Sequence, residues 1–259
     1  MRWIDRPADP PRQMSCGLAA VDSLLAGGLV VGGVHECAAA WPPLSIVTHL
    51  ADRLRGNGTV LWLGSWCWPD AGVLYKAFPG LMRASLRVQA PDSASWWWAA
   101  EVAAQSGATV ILDGRRMPMT ASRRLHLAAT DSAVFVLCTL DDLHRRSAAT
   151  TRWRIAPVPN ERCPRWAMTL QRAKGRQPLA GSVETLPRVE VEWDHETHGL
   201  RVVTPHAHGS CAAKSREPDM SDRHHRCDSG APHRGLVMRS GAEGGHHARH
   251  DACARPGAG

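Results

Sequence analysis

Long apolar runs are missing from this 259-residue chain, and none approaches the ~18 residues that a membrane-spanning helix needs. The opening stretch, MRWIDRPADPPRQ, lacks the apolar core of a signal peptide. The expectation is a cytoplasmic protein with no membrane contact. Phenylalanine and tyrosine are scarce, two and one, against eleven tryptophans. Acidic residues are the minority: 24 Asp+Glu face 31 Lys+Arg, a mildly basic balance that permits contact with nucleic acid or an acidic partner without requiring it. Eight cysteines fit a reducing compartment if they stay free, since Cys37 and Cys138 fall in predicted strands, where a thiol acts as a small hydrophobe.

The last quarter of the chain lacks the means to fold. Residues 205–259 contain no Trp, Ile, Phe or Tyr and are rich in His, Gly, Ala, Arg and Pro. Such a segment cannot bury enough apolar surface to offset its ordering entropy, so a disordered tail is expected. It carries His224-His225-x-Cys227 and His246-His247-x-x-His250-x-x-Cys253, but neither has the two spaced ligand pairs of a structural zinc site. A nonspecific tail, or the product of a shifted reading frame, is the plainer reading, and no metal site is assigned. Residues 1–13, rich in proline and arginine, read as an extended arm. The core domain is then 14–204.

Within it, strand and helix alternate. Ser15 is placed to cap a helix from Leu18 to Leu25, ended by Gly27 or Gly28. Val34 to Ala38 reads as a short buried strand, and Leu44 to Arg55 as an amphipathic helix with Leu44, Val47, Leu50 and Leu54 at helical spacing. Thr59–Leu63, Ala108–Leu112 and Ala133–Leu140 read as strands, with helices over Asp92–Gln105 and Ala121–Ala129. Continuous apolar strands between helices predict an α/β domain with a mostly parallel sheet covered on both faces. From Thr151 the pattern turns to strands alone: Trp153–Ala156, Trp166–Gln171, Arg188–Trp193 and Leu200–Thr204, the last two joined as a hairpin. Antiparallel pairing is expected there.

The loop between the first buried strand and its helix is where a phosphate would bind. Strand, loop and helix in that order let backbone N–H groups and the helix N-terminus face an anion, while a lysine neutralises the terminal phosphates. Here the loop reads Ala38-Ala39-Ala40-Trp41-Pro42-Pro43-Leu44-Ser45. It has no glycine for close approach and no lysine, and two prolines delete two N–H donors. The geometry of a nucleotide site is written without its chemistry.

The flanks resemble the recombinase RecA. Upstream, Ser15-x-Gly17, a helix carrying Val21-Asp22, and Gly27-Gly28-Leu29-x-x-Gly32 lead into the strand, as in the opening of the RecA core. Downstream, QAPDSASWWWAAEVAAQSGATVILD (Gln89 to Asp113) resembles the RecA run that ends on the Walker B aspartate. A RecA-like P-loop NTPase core with a degenerate phosphate loop resembles the ImuA family, RecA-related accessory proteins of damage-induced mutagenesis. The resemblance covers Met14 to Thr204.

Carried over residue by residue, the resemblance places Ser45 where the phosphate-loop lysine belongs, and Ile46 and Val47 where hydroxyls would follow. Trp66 falls nearest the water-activating glutamate, and Asp113 matches the Walker B aspartate, a carboxylate that otherwise caps a strand-end turn with Gly114. Phosphoryl transfer runs on positioning and on charge neutralisation by lysine and metal. With both removed, no enzyme and no cofactor are expected, and Ser45 and Asp113 mark only the relics of nucleotide binding. The two loops through which such recombinases read single-stranded DNA are short here, keeping Arg115 and Arg116 in one and Arg145 and Arg146 in the other, which as plain chemistry are solvated charge. Arg172 and Lys174 occupy the positions of two RecA lysines that reach the ATP of a neighbouring subunit.

Tryptophan supplies the other candidates. Trp96, Trp97 and Trp98 open a helix about 100° apart, so not all can face the core. Trp66 and Trp68 bracket a loop at a strand end, where parallel sheets place binding crevices. Core filling is the bland reading. Trp66, Trp68 and Trp97 as a partner surface is the functional one, and base stacking a third.

Two functions follow. The resemblance implies a noncatalytic adaptor in the SOS response to DNA damage, supporting error-prone translesion synthesis through RecA, an ImuB-like Y-family polymerase homologue and, indirectly, a DnaE-type polymerase, with single-stranded DNA a further candidate partner. The alternative is a divergent RecA-like ATPase or DNA-binding recombinase paralogue. A cell-division inhibitor of the SulA type is a third, weaker reading.

Overall fold

Residues 12–56, 58–90, 92–175 and 186–203 are described in the computed structural model of the chain. The expected tail lies outside them, as does most of the expected arm. Gln13 does not belong to that arm: Gln13–Met14 (β1) pairs antiparallel with Leu29–Val30 (β2). Between them runs Ala19–Leu24 (α1). Gly28 is forced by this pairing, since its φ of +119° is left-handed and a Cβ there would collide with the Met14 carbonyl. Ser15 does not cap α1. Gly17, at φ +78°, turns the chain so that the cap position falls on Leu18, and Ser15 Oγ instead donates to Asp22 at 2.6 Å.

The remaining elements follow in chain order: Gly33–Ala38 (β3), Leu44–Leu54 (α2), Val60–Leu63 (β4), Ala71–Ala77 (α3), Pro79–Ala84 (α4) and Ser85–Val88 (β5). Then come Ser93–Gln105 (α5), Thr109–Asp113 (β6), Met119–Ala128 (α6), Ala133–Cys138 (β7), a 3₁₀ turn over Leu140–His144, and Thr151–Val158 (β8). Arg165–Ala173 (β9), Arg188–Asp194 (β10) and Gly199–Val202 (β11) complete them. Three of these, α3, α4 and β5, fall in a stretch where the sequence shows no clean period. The two helices are short because Phe78, kept out of the helical region by the proline after it (φ −135°), breaks them apart.

Nine strands form one sheet in the order β11-β10-β9-β8-β3-β7-β6-β4-β5. From β8 to β5 every pairing is parallel. From β8 to β11 every pairing is antiparallel, with the expected β10–β11 hairpin. Residue alternation sorts the core into two layers. Ile111, Phe135, Leu137 and Trp153 face Ile46, Val47 and Leu50 of α2, while Val110, Leu112, Val134 and Val136 face Ala100, Ala104 and Leu125 of α5 and α6. The central strands β3 and β7 are buried at every position, as strands covered on both faces must be.

Two polar residues of β3 survive this burial because each is fully partnered. His35 Nε2 lies 3.0 Å from the Val30 carbonyl and so donates to it, leaving Nδ1 to accept from the Thr151 hydroxyl at 2.8 Å. Glu36 accepts from Arg152 Nε at 2.5 Å and from the Ser147 hydroxyl. Among the described residues no helix is long and apolar enough to cross a membrane.

Candidate functional site

The parallel strands β3, β7, β6 and β4 all end on one edge, and the loops that leave them enclose a crevice of about 240 Å³. Its walls include Trp41 and Pro42 from the β3–α2 loop, Trp66 after β4, Asp113 at the end of β6, Arg115, and Leu137. In an open α/β sheet this is the position at which ligands bind. The β4 strand leaves the sheet at Gly64, whose φ is +123° and where a Cβ would strike that of Asp113. Only glycine brings the Trp66 loop this close to the aspartate.

The charge in the crevice is already spent. Asp113 is buried, and its two oxygens accept from Arg115 Nε at 2.9 Å and Nη2 at 2.7 Å, a two-point pair. The hydrogen bond to Asp113 pushes the Arg115 pKa up and fixes its charge. Asp113 is thus an ion-pair partner and not the turn cap that the sequence allows. The same guanidinium lies 5.0 Å from the centroid of the Trp66 ring. Trp66 in turn stacks on Trp41, with centroids 6.4 Å apart and planes 23° from parallel. These two indoles are 49% and 74% exposed, so the mouth of the crevice is an aromatic surface open to solvent.

The loop below it offers little to an anion. Pro42 and Pro43 have no N–H, and the α2 N-terminus has no side-chain cap. Leu44 and Val47 turn their N–H groups onto the carbonyls of Pro42 and Pro43, at 2.8 and 3.0 Å. Ser45 sits half-buried in the first turn of α2, outside the crevice lining. Cys138 reaches the crevice, but burial pushes its thiol far above the ordinary range, and burial likewise raises Cys67 to about 12. Neither is a ready nucleophile.

The other predicted positions separate into distinct places. Trp68 packs half-buried at 5.7 Å from Trp62, edge to face, with Arg87 at 5.9 Å over its ring. Trp97 is half-buried against the α5–α6 layer, and the outward indole of the triplet is Trp98, 63% exposed. The most exposed of the three thus lies one position, or 100° of helix, beyond Trp97. Arg116 is exposed at φ +58°, its N–H donating to Asp142 at 3.1 Å; Arg145 and Arg146 are exposed nearby.

Arg172 lies on β9 and Lys174 one residue past its end; β9 runs antiparallel to β8 and ends beside the start of β3, toward the opposite edge of the sheet from the crevice. Both are exposed. Arg172 donates to the Ser147 carbonyl at 3.1 Å, and Lys174 Nζ lies 2.8 Å from His126 Nε2, which accepts. Burial first, and then this ammonium, hold the His126 pKa below its usual value.

One network escaped the sequence. The buried Arg152 guanidinium, besides pairing with Glu36, donates to the carbonyls of Asp142, Leu143 and Arg145 at 2.7, 2.9 and 3.0 Å. It ties the whole 140–147 loop to the sheet. The only signal was a glutamate in the middle of one strand and an arginine at the start of another.

No family model matches the chain. Protein ImuA of Caulobacter vibrioides, in two strains (NA1000 / CB15N and ATCC 19089 / CIP 103742 / CB 15), is 29% identical over 240 residues, covering 79% of this chain and 94% of that protein. Among solved structures, the crystal structure of the RadB recombinase superposes with a TM-score of 0.55 at 12% identity, covering 74% of this chain and 100% of that one. At so low an identity the likeness shows the fold alone, and that fold is the RecA-like one expected from the flanking motifs. The kinship with protein ImuA likewise bears out the resemblance read from the sequence and supports membership of the ImuA family for this chain.

Proposed function

We propose that this chain is a noncatalytic RecA-fold adaptor of the DNA damage response. In this reading it supports error-prone translesion synthesis by contacting RecA and an ImuB-like polymerase homologue, and through that partner a DnaE-type polymerase. The observation that carries the noncatalytic part is the two-point Arg115–Asp113 pair. A Walker B carboxylate works by helping to hold magnesium on the phosphates. Here it is committed to a guanidinium two residues away, and the phosphate loop supplies neither lysine nor close-approach glycine. The alternative, a divergent ATPase, would have to break that pair before a metal could be held. Kinship with protein ImuA supports the damage-response setting.

The partner side rests on an asymmetry between two edges of the sheet. The edge that would present a nucleotide to a neighbour is closed by Trp66 and Arg115, while Arg172 and Lys174 stay exposed toward the other. A subunit with one working face joins a head-to-tail filament at one end only and stops its growth there. To reach a neighbour's phosphate, the two side chains would leave only a carbonyl and an imidazole, both neutral partners. Charge-assisted contacts of this kind are worth ~1.5–3 kcal/mol each, so losing both weakens docking at least tenfold. The test is co-sedimentation with ATP-bound RecA filaments on single-stranded DNA, comparing the natural chain with Arg172→Ala/Lys174→Ala. Equal binding of the two, or equal binding to nucleotide-free RecA, contradicts the docking face.

A further inference from the structure

The crevice is apolar inside and cationic alongside. Ala39, Ala40, Pro42 and Leu137 line it, and Trp41 and Trp66 stand at its mouth. The two indoles stack on each other, and the Arg115 guanidinium lies over Trp66 while Asp113 holds it in place. Trp66 is therefore committed within the molecule. What stays open to a partner is the surface of Trp41, 74% exposed, the rim of Trp66 and the hollow beside them. Pro42 and Pro43 fix two successive φ angles next to Trp41, so this ridge is set before anything binds. A pre-organised ridge of Trp and Arg beside an apolar hollow has the composition of a protein-docking hot spot.

The charge alongside fixes the sign of that partner. A small polar hollow shares Cys138 with the crevice and is lined by Arg145 and Arg146. The guanidinium groups of Arg116 and Arg146 join none of the ion pairs among the described residues, and Arg145 stands 3.9 Å from Asp142. Asp113 and Asp142 are buried, and they already accept from Arg115 and from the N–H groups of Arg116 and Thr139. Asp141 is the exposed carboxylate here. Arg116, Arg145 and Arg146 thus face solvent against it, a cationic rim beside an apolar hollow.

We infer that this crevice docks a segment of a partner protein in which a large apolar side chain is flanked by aspartates or glutamates. The apolar side chain fills the hollow against Trp41 and Leu137, and the carboxylates meet Arg116, Arg145 and Arg146. The inference rests on the reading above that the chain is an adaptor whose crevice takes no nucleoside triphosphate. It gives that adaptor a second face, on the edge of the sheet away from Arg172 and Lys174. A nucleic-acid base is the poorer fit, since stacking needs a free ring face and Trp66 already has Trp41 and Arg115 against it. An uncharged segment would leave the arginines unused, and a free anion would leave the hollow empty. Opposite charge across the rim gives such docking its specificity and its rate of association.

The test selects a displayed library of random peptides on the full chain, with Ala40→Glu as the counter-selection. Ala40 is exposed and lines the crevice, so a carboxylate there opposes an acidic segment without disturbing the core. The expected sequences carry Leu, Met or Phe close to Asp or Glu. In fluorescence anisotropy, a synthetic copy should lose about tenfold in affinity when that apolar residue becomes serine. Trp41→Ala and Arg145→Glu/Arg146→Glu should each cost about as much, and circular dichroism confirms that these exposed positions leave the fold intact. A basic or uncharged consensus, or equal binding by all the variants, overturns the inference. So does a labelled oligothymidylate that binds more tightly than the peptide and is lost on Trp41→Ala, which gives the crevice to a single strand. Self-association of the chain that is lost on Ala40→Glu overturns it as well, in favour of a second copy. ATP titration and co-sedimentation with RecA filaments on the same chain separate the two readings. If both behave as the adaptor reading expects and no acidic sequence is enriched, this inference alone fails, whereas saturable ATP binding that displaces the peptide overturns both.

Discussion

Two edges of one sheet spend their positive charge differently. Where the parallel strands end, the Arg115 guanidinium is bound to a carboxylate, Asp113, as the buried Arg152 is to Glu36 within the sheet. On the side where β9 ends, Arg172 and Lys174 are bound to neutral partners, the Ser147 carbonyl and the His126 imidazole. A cation paired with a carboxylate has little left for an incoming phosphate, whereas one resting on a neutral dipole keeps its full charge. On the function proposed above, this difference is what would let the fold give up a nucleotide of its own and still meet a neighbour's phosphate.

The sharpest way to break this comparison is to remove one member of the buried pair. Glu36→Ala or Arg152→Ala strands a charge in the core, and each should cost about 3–5 kcal/mol in urea denaturation. The double change Glu36→Leu/Arg152→Met should recover much of that, since the pair as a whole is not required for stability. If either single variant loses under about 1 kcal/mol, the pair is solvated and the loop over 140–147 is not anchored as described.

A smaller effect comes from His35, whose side chain sits among Thr151, the Val30 carbonyl and the Phe135 ring. Burial lowers its pKa to about 4 from the ordinary 6.5. The folded chain therefore binds fewer protons than the unfolded one in this range. The stabilisation is complete above pH 6.5 and is lost as pH falls through 4, up to roughly 3 kcal/mol in all. His49, also lowered by burial and held between the Cys16 carbonyl and the Leu200 N–H, acts in the same direction. Denaturation midpoints between pH 7 and 4 should show the slope, and His35→Gln should flatten most of it. A flat profile in the natural chain would mean that His35 is protonated or solvated.

How much of this the sequence carried depends on whether the signal was local. The runs VIL and AVFVLC are apolar without interruption, so β6 and β7 were legible as buried parallel strands. The stretch over 71–88 was not, because α3 and α4 are shorter than two full periods of a clear stripe and β5 is a half-exposed edge strand. The crevice was legible as a set of absences, a missing lysine and two added prolines. Its contents were not. Trp41 matters only because the fold sets it against Trp66, and Glu36 meets Arg152 only because β3 and β8 are neighbours. Contacts between distant residues leave no periodicity behind them.

The central claim is that the crevice has exchanged a triphosphate for an aromatic and ion-paired surface. Isothermal titration of the full chain with magnesium and ATP tests it most directly. The account predicts no saturable heat. A micromolar affinity that disappears on Asp113→Ala would contradict it, since Asp113 would then be serving a nucleotide and not Arg115.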